Sequence, residues 1–327
     1  MPVPLIERFR AVLPVSETTP VVSLGEGSTP LLQAPRLSER YGREIWLKWE
    51  GANPTGSYKD RGMTMAVSKG LEEGAQAVVC ASTGNTAASA AAYAARAGIP
   101  ALILTSEGAT GEKVAQARMH GARVFAVRGS FDDTLAAARA LGEGGHHVLV
   151  NSLNPYRREG QKTAVYEIVE QLGAAPDAFV IPYGGGGNTS AYAQALAELS
   201  LDALLVSAEA ADRRGTIASA IRIGEPAHAE RVRSSGARVV TVDDDEILEA
   251  WRELASLEGI FCEPSSAAGL AAVRRGDVPG DRLAVTLTGH GLKDVATADR
   301  LAPPPLLVEA DPDAIAFSLR ENAGEAK

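Results

Sequence analysis

Lys59 is the side chain whose placement carries the most chemistry in this sequence. It lies in the run Asn53-Pro54-Thr55-Gly56-Ser57-Tyr58-Lys59-Asp60-Arg61-Gly62, where turn-forming residues lead into a helix-like segment over Met63 to Glu73. Before the run, Ile45-Trp46-Leu47-Lys48-Trp49-Glu50 reads as a strand, and Gly51 to Gly56 suits neither strand nor helix. An amine held at such a junction is well placed to form a Schiff base with a carbonyl compound. Taken alone, a lysine in a first helical turn is more often an ordinary solvated charge.

Other loops carry complementary groups. Tyr183-Gly184-Gly185-Gly186-Gly187-Asn188 follows a strand and opens a helix. Four glycines let backbone N–H groups curl inward and the helix N-terminus adds positive potential, so the loop suits a phosphate dianion. A flexible turn is the plainer alternative. No Gly-Lys-Ser/Thr follows, so it is no Walker loop. Ala81-Ser82-Thr83-Gly84-Asn85-Thr86 offers the hydroxyls of Ser82, Thr83 and Thr86 and a second helix N-terminus to an anion, or simply caps that helix.

Asn151-Ser152-Leu153-Asn154-Pro155-Tyr156-Arg157-Arg158-Glu159-Gly160-Gln161-Lys162-Thr163 reads plainly as a polar loop entering a helix, with solvated arginines. An arginine there is also apt for phosphate, because its planar fork binds bidentately and keeps its charge. Leu287-Thr288-Gly289-His290-Gly291-Leu292-Lys293-Asp294 sets the hydroxyl of Thr288 at a strand end, with His290 and Lys293 as ordinary surface residues. No histidine, the pair His146-His147 included, shows metal-ligand spacing, and no metal is expected.

The elements that must position these loops alternate in type. Strand-like runs over 77–80, 101–104, 123–127 and 147–150 are separated by helix-like runs over 86–97, 112–120 and 131–141. A second series has strands over 178–181, 203–207 and 283–287, with helices over 158–172, 188–199, 244–258 and 265–274. Short, nearly all-apolar strands between helices indicate βαβ units and parallel sheets covered on both faces. The expected class is therefore α/β, in two lobes, with the segment before Ile45 joining the second. Sites in such folds lie beyond the carboxyl ends of the strands, and each loop above falls at a strand end.

Composition narrows the partners. A net charge of −9 argues against nucleic acid, which needs concentrated Lys and Arg. No apolar run approaches the ~20 residues of a membrane span, and the first ten residues lack a signal-peptide core. Cys80 and Cys262 form no disulfide framework, which suits a reducing cytoplasm, and both read as core residues.

The run around Lys59 resembles the cofactor-lysine segment of the pyridoxal 5'-phosphate (PLP) enzymes of tryptophan synthase β-like fold, most closely that of the threonine synthases. Residues 151–163 are similar to the synthase pattern Asn-Ser-x-Asn-Pro-x-Arg-x-Glu-Gly-Gln-Lys-Thr. Glu26-Gly27-Ser28-Thr29-Pro30-Leu31 and Glu263-Pro264-Ser265-Ser266-Ala267-Ala268 resemble two further family signatures. The matches run in family order from about residue 25 to 300.

The resemblance implies that Lys59 holds the cofactor and moves protons. It implies that Gly184, Gly185, Gly186, Gly187 and Asn188 cradle the cofactor phosphate, that Asn85 bonds the phenolic oxygen, and that Thr288 contacts the pyridine nitrogen. The loop of Ser82, Thr83 and Thr86 would take the substrate carboxylate. Asn151, Ser152 and Arg157, with Asn154 nearby, would take the phosphate of O-phospho-L-homoserine. Residues 1–47 and 148–327 would form a large cofactor-binding domain, and 48–147 a small domain carrying the cofactor lysine and substrate loop. A homodimer is the family habit. One departure stands out: synthases usually carry Gly-Asn-x-Gly-Asn where this chain has glycine at 185. Four glycines are more typical of the serine and threonine dehydratases, which remain an alternative beside a non-catalytic PLP-binding homologue.

Overall fold

Short apolar runs bounded by turn residues become the strands of two sheets in the computed structural model, which describes residues 3–108 and 111–322. In chain order the strands are β1 (Leu31–Gln33), β2 (Glu44–Trp49), β3 (Ala77–Ala81), β4 (Ala101–Ser106) and β5 (Arg123–Val127). There follow β6 (His147–Leu149), β7 (Ala178–Pro182), β8 (Leu204–Ala210), β9 (Arg238–Val242) and β10 (Arg282–Leu287). One sheet has the order β1-β2-β10-β7-β8-β9, the other β5-β4-β3-β6. All neighbours run parallel except β1 and β2.

Between the strands lie α1 (Leu5–Arg8), α2 (Pro35–Tyr41), α3 (Lys59–Glu72), α4 (Asn85–Ala97), α5 (Gly111–Met119) and α6 (Phe131–Glu143). Later come α7 (Pro155–Leu172), α8 (Gly187–Glu198), α9 (Ala229–Ser234), α10 (Asp244–Glu258) and α11 (Ala268–Arg274). Residues 1–293 make one compact unit. The segment from Asp294 makes another, with α12 (Val295–Leu301) and α13 (Pro312–Asn322).

Several elements differ from the sequence expectation. The strand expected over Ile45 to Glu50 directly precedes the first series in sequence, yet it pairs with β10 through Arg282↔Glu44 to Leu287↔Trp49 and so belongs to the six-stranded sheet. β9 was not expected. It is a sheet edge with three of its five residues exposed, so it lacks the apolar run that marks the buried strands. The helix expected over 265–274 opens instead as a 3-10 turn, Pro264–Ala267.

Burial explains the layering. β3 and β7 are buried at every residue, as parallel strands covered on both faces must be. One core packs Val78, Cys80 and Ile103 against the small side chains of α4 and against Met63 and Val67 of α3. Another packs Phe179 and Ile181 against Val165 and Ile168 of α7 and Tyr192 of α8.

The crossing of α3 and α7 does most to position the site. A Cβ at Gly160 would fall 1.8 Å from the Arg61 carbonyl oxygen, and one at Gly62 would fall 2.6 Å from the Arg157 carbonyl oxygen. Glycine at both positions lets the helices touch backbone to backbone. The first turns carrying Lys59 and Arg157 are thereby drawn together.

Candidate active site

The loops singled out by chemistry all leave the carboxyl ends of strands. Lys59 follows β2, Ser82 to Asn85 follow β3, and Asn151 to Arg157 follow β6. The glycine loop follows β7, and Thr288 follows β10. Backbone bonds fasten some of them directly. Tyr58 N donates to Thr288 O at 3.0 Å, and His290 N to Gly56 O at 2.9 Å. Glu263 N donates to Gly289 O at 3.0 Å, adding the segment before α11 to the group.

Lys59 is the first residue of α3 and is half-buried. Its Nζ donates to the Tyr58 hydroxyl at 2.7 Å and lies 4.5 Å from the centre of that ring. The ordinary solvated lysine is thus not what the fold makes of it. Next to it, Asp60 is buried and accepts from Thr55 N, the Thr55 hydroxyl and the Ser89 hydroxyl. Burial pushes its carboxyl up to about 6 even against these hydrogen bonds.

Asn85 opens α4 and donates from Nδ2 to both Glu263 oxygens at 3.1 Å. The Thr288 hydroxyl is buried against that of Ser266 at 3.1 Å. Ser82, Thr83 and Thr86 are partly exposed at the mouth of α4, and Ser82 Oγ accepts from Gly84 N at 3.2 Å.

Two places in this group hold buried donors with nothing to donate to. Gly186 takes φ +80° as N-cap of α8, a left-handed conformation that glycine accepts without strain. On the first turn of α8, Asn188 Nδ2 is buried and without a hydrogen-bond partner. On α7, Arg157 is 1% exposed. Its Nη1 donates to Val150 O at 2.9 Å, while Nε and Nη2 have no partner. Burial lowers its pKa, as expected for a cation held out of water. Unpaired buried donors of this kind cost free energy, and an anion in contact would satisfy them. The residues present therefore fit a phosphate-bearing cofactor at the glycine loop and a second anion at Arg157.

Two residues expected near that anion also shape the loop. Asn151 commits both ends of its amide to the backbone, accepting from Ala81 N and donating one N–H to Ala81 O, each at 2.9 Å. It fastens this loop to the end of β3. Asn154 caps α7, accepting from Tyr156 N and donating to Leu149 O. Ser152 faces the glycine loop, its Cβ 3.7 Å from where a Gly187 Cβ would lie.

Behind Lys59 lies a buried charge network that the sequence reading did not single out. Arg61 donates to Glu50 at 2.7 and 2.8 Å and to Glu167 at 2.8 and 2.7 Å. Lys48 donates to Glu167 at 2.8 Å. All four side chains are 0% exposed. Burial works against both glutamates, but the Arg61 and Lys48 cations prevail and hold Glu50 and Glu167 below the ordinary carboxylate range. The signal in the sequence was a charged helix face on α7, indistinguishable from a solvated one. Tyr58, Ser266 and His228 were also passed over, as nothing local marks them.

Comparison with known proteins bears on what this arrangement does. Residues 22–289 match the family described as "Pyridoxal-phosphate dependent enzyme". The chain is 47% identical to the threonine synthase of a Synechocystis species, over 89% of this chain and 83% of that one. It is 48% identical to the threonine synthase of Mycobacterium leprae, over 90% and 89%. Among solved structures, maize serine racemase superposes with a TM-score of 0.73 at 22% identity, covering 91% of this chain and 93% of that one, which speaks to the fold alone.

Proposed function

The chain belongs to the pyridoxal-phosphate dependent enzymes and, among them, to the threonine synthase family, and from that premise we propose that it converts O-phospho-L-homoserine and water to L-threonine and phosphate. The observation that carries the choice of substrate is Arg157, buried at the start of α7 with two N–H donors unpaired. The cofactor phosphate and the substrate carboxylate have seats of their own at the glycine loop and the Ser82–Thr86 loop, so a phosphate on the substrate is the group left to satisfy these donors.

When bound, the cofactor supplies an electron sink that makes hydrogens at substrate Cα and Cβ removable. Lys59 is placed to hold it, and its amine would take protons from those carbons and return them at Cα and at Cγ, where the departing phosphate leaves a bond to be filled. Contact with the Tyr58 hydroxyl limits where Nζ can point. The glycine loop and Asn188 would hold the cofactor phosphate, Thr288 would be the partner of its ring nitrogen, and Asn85 would bond its phenolic oxygen. Ser82, Thr83 and Thr86 receive the substrate carboxylate. Arg157 and Ser152 receive the phosphate that leaves Cγ, with Asn151 and Asn154 holding their loop in shape. Water then adds at Cβ.

The division at 47/48 and 147/148 belongs to this reading; the separate sheet over 77–149 supports a small domain there, while β2 runs across the 47/48 boundary within the six-stranded sheet. So does a cytoplasmic homodimer; two free, buried cysteines suit a reducing compartment. Among the described residues no helix is long and apolar enough to cross a membrane.

The test is an assay of the PLP-loaded protein with O-phospho-L-homoserine, quantifying both products. Threonine and phosphate in equal amounts are expected. Release of neither, with 2-oxobutyrate formed from threonine, would replace the synthase reading with a dehydratase.

A further inference from the structure

The glycine loop carries no side chain from 184 to 187, so nothing on that stretch can reach across to the 151–157 loop. A residue from elsewhere in the chain spans the gap. His228, immediately before α9, donates its backbone N–H to Gly185 O at 3.1 Å. Its Cβ lies 3.2 Å from where a Gly186 Cβ would be, and its ring edge 3.7 Å from the same point on Gly187. On its far side the imidazole Nε2 lies 3.0 Å from Ser152 O. A carbonyl oxygen only accepts, so Nε2 carries the hydrogen and donates.

We propose that His228 is a positioning residue that ties the glycine loop to the Ser152–Arg157 loop, fixing the second anion pocket for the phosphate of the substrate. This rests on reading that pocket as the seat of the substrate phosphate. The ring works as a neutral bridge. Burial and the nearby cations Arg158 and Arg231, with Arg157, all oppose its protonation, although the bond to Ser152 favours it. The alternative, a histidine that merely fills space, predicts no role for the Nε2 hydrogen.

The bond holds the Ser152 carbonyl turned toward α9. Other side-chain bonds of this loop run to different neighbours: the amides of Asn151 and Asn154 to Ala81 and Leu149, the Tyr156 hydroxyl to Glu73, and Arg157 Nη1 to Val150 O. None of these reaches the glycine loop, so without the bridge the position of the Ser152–Arg157 loop relative to the glycine loop is no longer set by a hydrogen bond through His228.

The test compares His228→Ala and His228→Gln with wild type; glutamine can place an amide N–H near the Nε2 position. Inorganic phosphate is titrated calorimetrically into the PLP-loaded proteins, and KM and kcat for O-phospho-L-homoserine are measured beside it. In His228→Ala, phosphate affinity falls and KM rises by about tenfold, the worth of one hydrogen bond, while cofactor affinity and kcat move by less than about threefold. His228→Gln recovers most of the loss. Unchanged phosphate affinity in His228→Ala, a glutamine variant as weak as alanine, or equal loss of cofactor and phosphate would each overturn the proposal. Wild type that binds phosphate but makes no threonine would sink the assigned reaction, and the titration would still decide the role of His228.

Discussion

Glu167→Gln should be one of the most damaging single-charge changes in this protein. The side chain accepts from Arg61 Nη1 and Nη2, from Lys48 Nζ and from Ser28 N, all between 2.7 and 2.8 Å. Together Lys48, Arg61, Glu50 and Glu167 are electrically neutral and wholly buried. The substitution keeps the shape and removes one negative charge, so two buried cations face one anion. Breaking a buried pair from one side costs about 3–5 kcal/mol, a large part of a whole protein's stability. For a chain of this size that is a fall in Tm of roughly 4–7 °C, read by calorimetry. Arg61 sits two residues from Lys59 in the same helical turn, so PLP loading, read from cofactor absorbance, should fall as well. Removing a cation too, in Lys48→Met/Glu167→Gln, restores neutrality and should be more stable than the single variant, a coupling that a double-mutant cycle isolates. A Tm within about 2 °C of wild type in the single variant would refute the reasoning, because the charge would then be compensated from elsewhere.

Four further outcomes are expected. Asp60 has a folded pKa raised from 3.8 to about 6, so its contribution is favourable when protonated and is lost as pH rises between those values. The full step is worth about 3 kcal/mol, and Asp60→Asn should therefore gain on wild type by about 2 kcal/mol between pH 4 and 6.5 in urea unfolding; no change in the difference would contradict the raised value. Gly160→Ala puts a methyl 1.8 Å from Arg61 O, so α3 and α7 must part at a cost of about 3 kcal/mol or more, with turnover lost; wild-type stability would mean the helices do not touch there. Lys59→Ala should abolish turnover and the absorbance of bound cofactor. Arg157→Ala should raise KM for O-phospho-L-homoserine while sparing cofactor loading; equal loss of cofactor would show that Arg157 belongs to the other phosphate.

Several features of this protein were legible without coordinates. Four-glycine loops, a lysine after a turn and apolar runs of strand length are local patterns, because backbone freedom and side-chain period are decided by near neighbours. Lys59, Asn85, Asn188 and Thr288 could accordingly be placed at strand ends by reading along the chain. What the chain could not disclose is which polar groups would be buried and with whom. Arg157 and Arg158 are adjacent letters of one type, yet the crossing at Gly62 and Gly160 buries the first with unpaired donors, while the second is half-buried. Asn151 is a ligand by its motif and a clamp on β3 by its hydrogen bonds. Glu167 and Lys48 resemble solvated charges until β2 and α7 are packed, 119 residues apart. β9 escaped notice because an edge strand need bury only one face. His228 became meaningful only when α9 brought it against two loops distant in sequence. Local sequence determined where the functional groups stand along the backbone; burial and pairing, which set their charge and reach, depend on long-range contacts that only the tertiary structure supplies.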